Sequence, residues 1–286
     1  MGTAEFASRP NAGIDEELYY RRFTLGQRYQ HAGLATSFLA LAFTGMTLRF
    51  STQDWAVTAA RLVGGFAVIQ FFHLFFAVIL TSIFLIHVGD LIRRMVYLHE
   101  KGLLSGPTTM VVRRKDFEDF FANMKYFLWL GPAPKFDRYA YWEKLDYWGE
   151  WWGMGVIGLT GYAMWFPEFF ARFIPGRWLN VALVFHSWEA LLAAGFIFLI
   201  HFFNAHLRPL NFPMDLVIFT GRQSEEEFKI RHPVEYERIA ASGGLEKLRA
   251  EAPPRWMNNC SGLFGLLAIL AGFLLMVLAV SSFVRG

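Results

Sequence analysis

The chain has 286 residues, of which 55% are hydrophobic and only 18% are charged. A soluble domain is less apolar and has about 25% charged residues, so the composition predicts an integral membrane protein. The single cysteine, Cys260, excludes disulfides within the chain, Cys-x-x-Cys metal sites and covalent c-type haem attachment. The sequence contains no phosphate-binding loop and no dinucleotide fingerprint, so catalysis of a soluble reaction by this chain alone is not expected.

Five apolar windows are each long enough to cross a bilayer as an α-helix. The expected fold class is all-α: a transmembrane helical bundle of five spans, with a four-helix core built as a two-fold repeat and one extra C-terminal helix. The expected spans, in chain order, are 31–50, 64–90, 147–167, 179–205 and 260–283. The expected division is an N-terminal segment at 1–30, the core at 31–206 with a loop at about 91–146, a second loop at 207–259, and the fifth helix at 260–286.

Basic residues predict the orientation of the chain. Of its 27 Lys and Arg residues, 22 lie in the N-terminal segment and the two long loops. The positive-inside rule therefore predicts a multi-pass protein of the inner (cytoplasmic) membrane, with a cytoplasmic N-terminus and the C-terminus outside. This asymmetry accounts for the sequence pI of about 9.0, and no nucleic-acid partner is expected.

The two halves of the predicted core resemble each other. The matching segments are Ile83–His87 with Ile197–His201, Phe72-His73 with Phe185-His186, and Thr44-Gly45 with Thr160-Gly161. All of them are separated by 113 to 116 residues, which indicates an internal repeat. The repeat breaks at His31, whose equivalent in the third span is Tyr147.

Each repeated helix carries a histidine toward either membrane surface. His73 and His87 are fourteen residues apart, a rise of about 21 Å on one helix face, and His186 and His201 are fifteen apart, about 22 Å. One intramembrane histidine is often a packing residue. Four with this spacing favour two stacked bis-histidine haem b sites, which need no covalent attachment.

The outer pair has one composition, His73 with His186. The inner pair is open, because His201 could pair with His87 or with His31. His206 could contact a haem propionate, line a quinone pocket, or bind a third haem with the remaining inner histidine. The expected cofactors are therefore two or three haems b, with quinone as the exchange partner.

Several other residues are candidates for supporting roles. Glu189, one turn after His186, is a candidate quinol proton acceptor because an intramembrane carboxylate normally faces a functional pocket; the alternative is a hydrogen bond to a propionate or to Ser187. The alternative quinone-site candidates are on the inner side: Asp90, and the residues at the entry to span three, Glu143, Lys144, Asp146, Tyr147 and Glu150. Glycines could admit the macrocycle and arginines could pair with propionates: Gly45, Gly161, Arg28, Arg93, Arg94 and Arg208.

The segment Gln27–His31, followed by Thr44-Gly45, resembles the first span of formate dehydrogenase gamma subunits and related b-type anchors. That resemblance implies that His31 and His201 bind the inner haem, that His73 and His186 bind the outer one, and that menaquinone binds near the inner haem. The spacing on spans two and four instead resembles cytochrome b of bc-type complexes, which implies His87 with His201.

Further segments resemble bacterial cytochrome b/b6-like subunits that are partnered with multihaem c-type cytochromes. These segments run from Asp116 through Tyr147, and include His206-Leu-Arg-Pro and Thr220-Gly-Arg222. The expected function is transfer of electrons between (mena)quinone and a partner redox subunit, either a multihaem cytochrome c or an iron–sulfur subunit. The alternatives are a formate dehydrogenase- or hydrogenase-like membrane anchor and, in another class, a histidine-based ion or metal transporter.

Overall fold

The computed structural model describes residues 17–209 and 211–285 of the chain. Most of these residues are helical, which confirms the all-α expectation at the level of fold class. The departure from it is a small antiparallel sheet of three short strands at one end of the bundle.

The first helical pair forms one side of the bundle. Helix α1 (Leu25–Arg49) is capped at its N-terminus by Thr24. The Thr24 side chain accepts from the Gln27 backbone N–H, and the Gln27 side chain accepts from the Thr24 backbone N–H. A short helix leads to α3, and α3 continues into a π-helical turn. The bounds are α2, Asp54–Val63; α3, Phe66–Ile92; and the π turn, Arg93–Tyr97.

The middle of the chain starts outside the bundle and then returns to it. A 3₁₀ turn (Lys101–Leu103) and helix α4 (Arg114–Phe127) precede a long helical segment. That segment is α5 (Tyr141–Gly153), a π turn (Met154–Gly158) and α6 (Leu159–Trp165). A short helix, α7 (Pro167–Phe170), follows it.

The next segment is helix α8 (Arg177–Gly195), which continues through two π turns, Phe196–His201 and Phe203–Leu207. Isolated π turns in α-helices are frequent at functional sites. These two turns carry His201 and His206, and the π turn at Met154–Gly158 provides the Ile157 carbonyl beside His186.

The segment after α8 is folded and is not an irregular loop. It contains α9 (Val217–Thr220), α10 (Glu225–Arg231), α11 (Pro233–Ala241) and α12 (Leu245–Leu248). Strand β1 (Tyr19–Arg21) lies between β2 (Arg222–Ser224) and β3 (Arg249–Ala250), and Tyr19 pairs with both Ser224 and Ala250. We call β1, β2, β3 and α9–α12 the cap.

The last helix, α13 (Arg255–Arg285), packs on α1 and α8. Small residues allow this close approach, because in a membrane the association of helices depends on packing more than on burial from water. A Cβ at Gly272 would collide with the ring of Phe198. The buried side chains shared by the three helices include Met46, Ala194, Phe198, Phe202, Ala268 and Leu275.

Four helical segments are long and apolar enough to cross a membrane: Leu25–Arg49, Phe66–Tyr97, Arg177–Leu207 and Arg255–Val284. They coincide with four of the five predicted spans. The predicted span at 147–167 lies in the helical segment α5–α6 but is not among the four. Its first turns are rich in Trp, Tyr, Gly and charged residues, which lowers its hydropathy.

Candidate functional site

His73 and His186 face each other between α3 and α8. Their ring centroids are 6.2 Å apart and their planes are inclined by 76°. Two imidazoles that bind one metal ion from opposite sides have centroids about 6 Å apart, since each metal–nitrogen bond is about 2 Å long. The spacing of this pair therefore fits one metal centre held by both rings.

The Nδ1 atoms of both rings are already engaged. His73 Nδ1 lies 2.9 Å from Thr44 Oγ1, which itself donates to the Ala40 carbonyl at 2.7 Å. The hydroxyl therefore accepts from His73 Nδ1–H. His186 Nδ1 lies 2.9 Å from the Ile157 carbonyl, to which only a protonated Nδ1 can donate. Both contacts leave Nε2 as the lone-pair nitrogen, the state a metal ligand requires.

The repeated Thr-Gly pairs provide the surface on which these rings lie. A Cβ at Gly45 would lie 3.1 Å from His73 Cε1, and a Cβ at Gly161 would lie 3.0 Å from His186 Cε1. Each glycine therefore makes room for an imidazole. The sequence analysis assigned the two glycines to the macrocycle, and their contact with the histidine rings was not foreseen.

The inner histidines divide into two groups. His87 has both ring nitrogens engaged, with Gln30 Oε1 3.3 Å from Nδ1 and the Tyr147 hydroxyl 3.1 Å from Nε2. His201 instead has Nδ1 2.9 Å from Asp146 Oδ2, and none of the described residues forms a hydrogen bond with its Nε2. A carboxylate on the far nitrogen is the usual partner of a metal-binding histidine.

His31 and His206 lie on the same side as His201. The rings of His201 and His206 have centroids 6.5 Å apart, and the ring of His31 on α1 contacts that of Phe219, with centroids 5.5 Å apart. Within the described residues, His31 Nδ1 and His206 Nδ1 are buried without a hydrogen-bond partner. A buried polar atom without a partner is costly in a protein interior, so these two nitrogens indicate a site for a polar or metal-containing ligand.

No protein-family model and no curated protein matches this sequence. The resemblances to b-type cytochromes therefore remain predictions, and the geometry of the site is the basis for a proposal. Within residues 17–209 and 211–285, no group of three or more His, Cys, Asp or Glu side chains is arranged to hold a metal ion.

The predicted cationic residues have other partners. Arg28 Nε donates to the Phe219 carbonyl at 2.7 Å, and Arg208 lies over the ring of Trp142 at 4.0 Å. The remaining two are in ion pairs: Arg94 with Glu100 and Arg93 with Asp90, each at 2.7 Å. Asp90, a candidate for the inner quinone site, is thus engaged in the ion pair with Arg93.

Glu189 is half-buried and accepts a hydrogen bond from Trp152 Nε1. Trp152 is otherwise largely exposed on the outside of the bundle. The pair thus opens toward lipid, and neither Ser187 nor a candidate arginine is bonded to Glu189. On the inner side, Glu150 Oε1 and Asp146 Oδ1 are buried and have no hydrogen-bond partner in the part of the chain that the structure describes.

Sequence reasoning missed the partners of the histidines. Thr44 and Thr160 were noticed as repeated residues, but not as neighbours of imidazoles; Thr160 Oγ1 lies 3.4 Å from His186 Nδ1. Asp146 was considered for quinone and not for His201. A threonine before each repeated glycine was the available signal for the outer contacts. Nothing local in the sequence indicates which inner histidine Asp146 contacts.

Proposed function

We propose that this chain is a membrane cytochrome b-type electron carrier, with two bis-histidine haems b, that connects the quinone pool to a partner redox subunit. The observation that carries the proposal is the His73–His186 pair, whose ring centroids are 6.2 Å apart between α3 and α8. Haem b would supply a one-electron centre with both axial positions filled. The residues of the chain hold the imidazoles in the tautomer and orientation that such a centre needs.

For the inner haem we propose His201 as one ligand, with Asp146 fixing its ring. His31 is the favoured second ligand because it lies on α1, a different helix from that of His201, and its Nδ1 is buried without a hydrogen-bond partner within the described residues. His87 is disfavoured because Gln30 and Tyr147 occupy both its nitrogens. His206 would either bind the iron of a third haem or contact a haem propionate.

We also propose that the α5–α6 segment crosses the membrane, which gives five spans. Strand β1, before α1, pairs with β2, after α8, so an even number of crossings separates the two strands. Likewise, Arg22 and Arg138 both pair with Glu235, although Arg138 and Glu235 are separated by α5–α6 and α8. The contacts support two crossings between Arg138 and Glu235, and the positive-inside rule places the cap in the cytoplasm.

Quinol oxidation releases protons together with electrons, so its site needs a proton acceptor beside a haem. Glu189 is the proposed acceptor on the outer side, since it lies one turn from His186 and opens toward lipid with Trp152. The buried, unpaired Glu150 carboxylate is the corresponding candidate on the inner side. A multihaem cytochrome c or an iron–sulfur subunit is proposed as the partner on the strength of the resemblance alone.

The deciding experiment is a reduced-minus-oxidised visible spectrum of the purified full chain, with pyridine-haemochrome quantitation. A haem b spectrum with two haems per chain is expected, and three would bring His206 into ligation. His73→Ala and His186→Ala should each remove one haem, whereas His99→Ala, on the exposed surface, should remove none. A chain without haem would overturn the proposal and favour the transporter.

A further inference from the structure

Helix α4 (Arg114–Phe127) has its polar and apolar faces reversed relative to a helix of a soluble protein. Asp116, Asp119 and Asn123 are buried against the rest of the chain, whereas Phe117 and Phe121 are 60% and 62% exposed. Aromatic residues normally occupy the interior face of a surface helix. An exposed aromatic face of this kind marks contact with a membrane or a protein.

Specific inward contacts fix this orientation of α4. Asp116 forms an ion pair with Lys144 at 2.9 Å, and both side chains are almost fully buried. The Asn123 side chain donates to the Tyr141 hydroxyl at 2.9 Å. Rotating the phenylalanines inward would expose these groups and break a buried ion pair, which is unfavourable because a buried charge needs its partner. The outward aromatic face is therefore a stable feature.

The same contacts place α4 beside the first turns of a membrane helix. Trp148 Nε1 donates to the Met110 carbonyl at 3.0 Å, just before α4 begins. From Asp116 to Asn123, α4 advances about 10 Å, while its partners on α5, Lys144 and Tyr141, are only about 4.5 Å apart along that helix. Helix α4 therefore crosses α5 obliquely and stays close to the level at which α5 begins.

The apolar surface continues beyond the end of α4. Trp129 is 91% exposed, and Leu128 and Leu130 beside it are also exposed. Tryptophan prefers the interface between the hydrocarbon and the head groups of a bilayer. Lys125 lies beside the aromatic face, as basic residues do in helices that lie on membrane surfaces, whereas Arg114 is in an ion pair with Glu118 at 2.9 Å.

We propose that α4 and the following residues 128–130 lie in the interfacial layer of the bilayer, with Phe117, Phe121 and Trp129 inserted among the lipids. Lipid is the favoured occupant because α4 is bonded to the first turn of α5, which leads into the proposed third span. The chain on both sides of α4 leads to membrane helices, so the bilayer surface is within reach without any partner. The proposal holds for any five-span chain of this fold and does not depend on haem.

The test uses the full chain with Cys260 replaced by serine and one cysteine introduced at Phe117, Phe121 or Glu118. Each variant carries a nitroxide label and is reconstituted at low density into phosphatidylcholine–phosphatidylglycerol vesicles. Glu118 is the matched control, because it is exposed on the same helix but outside the aromatic face. Collision of the label with oxygen, which partitions into lipid, and with a water-soluble nickel complex is then measured.

Labels at Phe117 and Phe121 should collide severalfold more often with oxygen than with the nickel complex, and the label at Glu118 should show the reverse. Equal access to the nickel complex at all three sites would overturn the proposal. Labels at Phe117 and Phe121 that are shielded from both reagents, with spectra that change on dilution of the protein in lipid, would indicate a second copy and would overturn it as well.

Discussion

His87 and His201 are equivalent in the repeat, yet their ring nitrogens have different partners. His87 contacts Gln30 and Tyr147, and His201 contacts Asp146. The difference follows from the break in the repeat, since the residue that replaces His31 in the second half is Tyr147. The Tyr147 hydroxyl lies 3.1 Å from His87 Nε2, the nitrogen through which His87 would bind a metal.

Alanine variants separate His31 from His87 as the partner of His201. Within the described residues His201 Nε2 makes no hydrogen bond, whereas both nitrogens of His87 are engaged, so His201→Ala should lose one haem per chain and His87→Ala should retain both. Pyridine-haemochrome quantitation of the two purified variants measures this. Loss of a haem in both variants would make His87, and not His31, the partner of His201. Asp146→Asn should retain haem but shift its midpoint potential, because a neutral amide replaces the charged carboxylate that contacts His201 Nδ1.

Glu189 is the residue for which a proton role can be separated from a structural one. Glu189→Gln keeps an acceptor for Trp152 Nε1 but removes the titratable group. Quinol oxidation should slow by about 100-fold, the scale of a lost general base, while the haem content stays unchanged. Trp152→Phe, which removes the hydrogen bond and keeps the carboxylate, is the matched control and should retain most of the turnover. Unchanged turnover in Glu189→Gln would exclude the proton role.

At the scale of elements, the apolar windows were sufficient to place the spans that α1, α3, α8 and α13 form, because each is a continuous run of apolar residues of membrane length. The window at 147–167 was predicted as a span in the same way, but the α5–α6 segment that it covers is not among the four helices apolar enough to cross a membrane. The partners of the inner histidines were not predictable, since the π turns at Met154–Gly158 and Phe196–His201 rotate side chains away from ideal helical phase.

The cap was missed for a different reason. Its strands are two or three residues long, and β1 pairs with segments about two hundred residues later in the chain. Pairing at that separation leaves no local periodicity in the sequence. The environment of His232 was not predictable for the same reason: the ring is half-buried in the cap and lies beside Arg22, far away in the sequence.

His232 makes the stability of the cap depend on pH. Its Nδ1–H donates to the Asp137 carbonyl at 2.9 Å, and Nε2 accepts from Arg22 at 3.2 Å. Burial, together with the positive charges of Arg22 and Arg138, lowers the pKa of His232 well below 6.5. The unfolded cap therefore binds a proton more readily than the folded cap, so the stability contributed by the neutral imidazole is complete above pH 6.5 and is lost as the pH falls below it.

The corresponding measurement is hydrogen exchange of residues 217–248 in the reconstituted protein as the pH is lowered from about 7.5 to about 5. After correction for intrinsic rates, protection of the cap should fall across this interval. His232→Asn keeps a donor for the Asp137 carbonyl and cannot titrate, so its protection should vary much less with pH. An equal loss of protection in this variant and in the unaltered chain would assign the pH dependence to another group.

At the scale of the whole molecule, the number of spans decides the side on which every loop lies. With a cytoplasmic N-terminus and five crossings, Glu246 in the cap is cytoplasmic and Glu168 in α7 is outside. If α5–α6 did not cross, both positions would change sides. The pairing of β1 with β2 and of Arg138 with Glu235 favours five crossings, because no side chain can pair across a bilayer.

The two positions therefore form an internally controlled test of topology. Each is replaced by cysteine in a chain whose Cys260 is serine; both are exposed, Glu246 with 81% of its side chain accessible. A membrane-impermeant maleimide should label Glu168→Cys in cells whose inner membrane is intact and should label Glu246→Cys only after that membrane is opened. The opposite pattern would mean that α5–α6 does not cross, or that the whole chain is inverted. A third cysteine at Glu17, beside β1, separates these cases. If the N-terminus is cytoplasmic, this cysteine is labelled only after the membrane is opened; if the whole chain is inverted, it is labelled in intact cells.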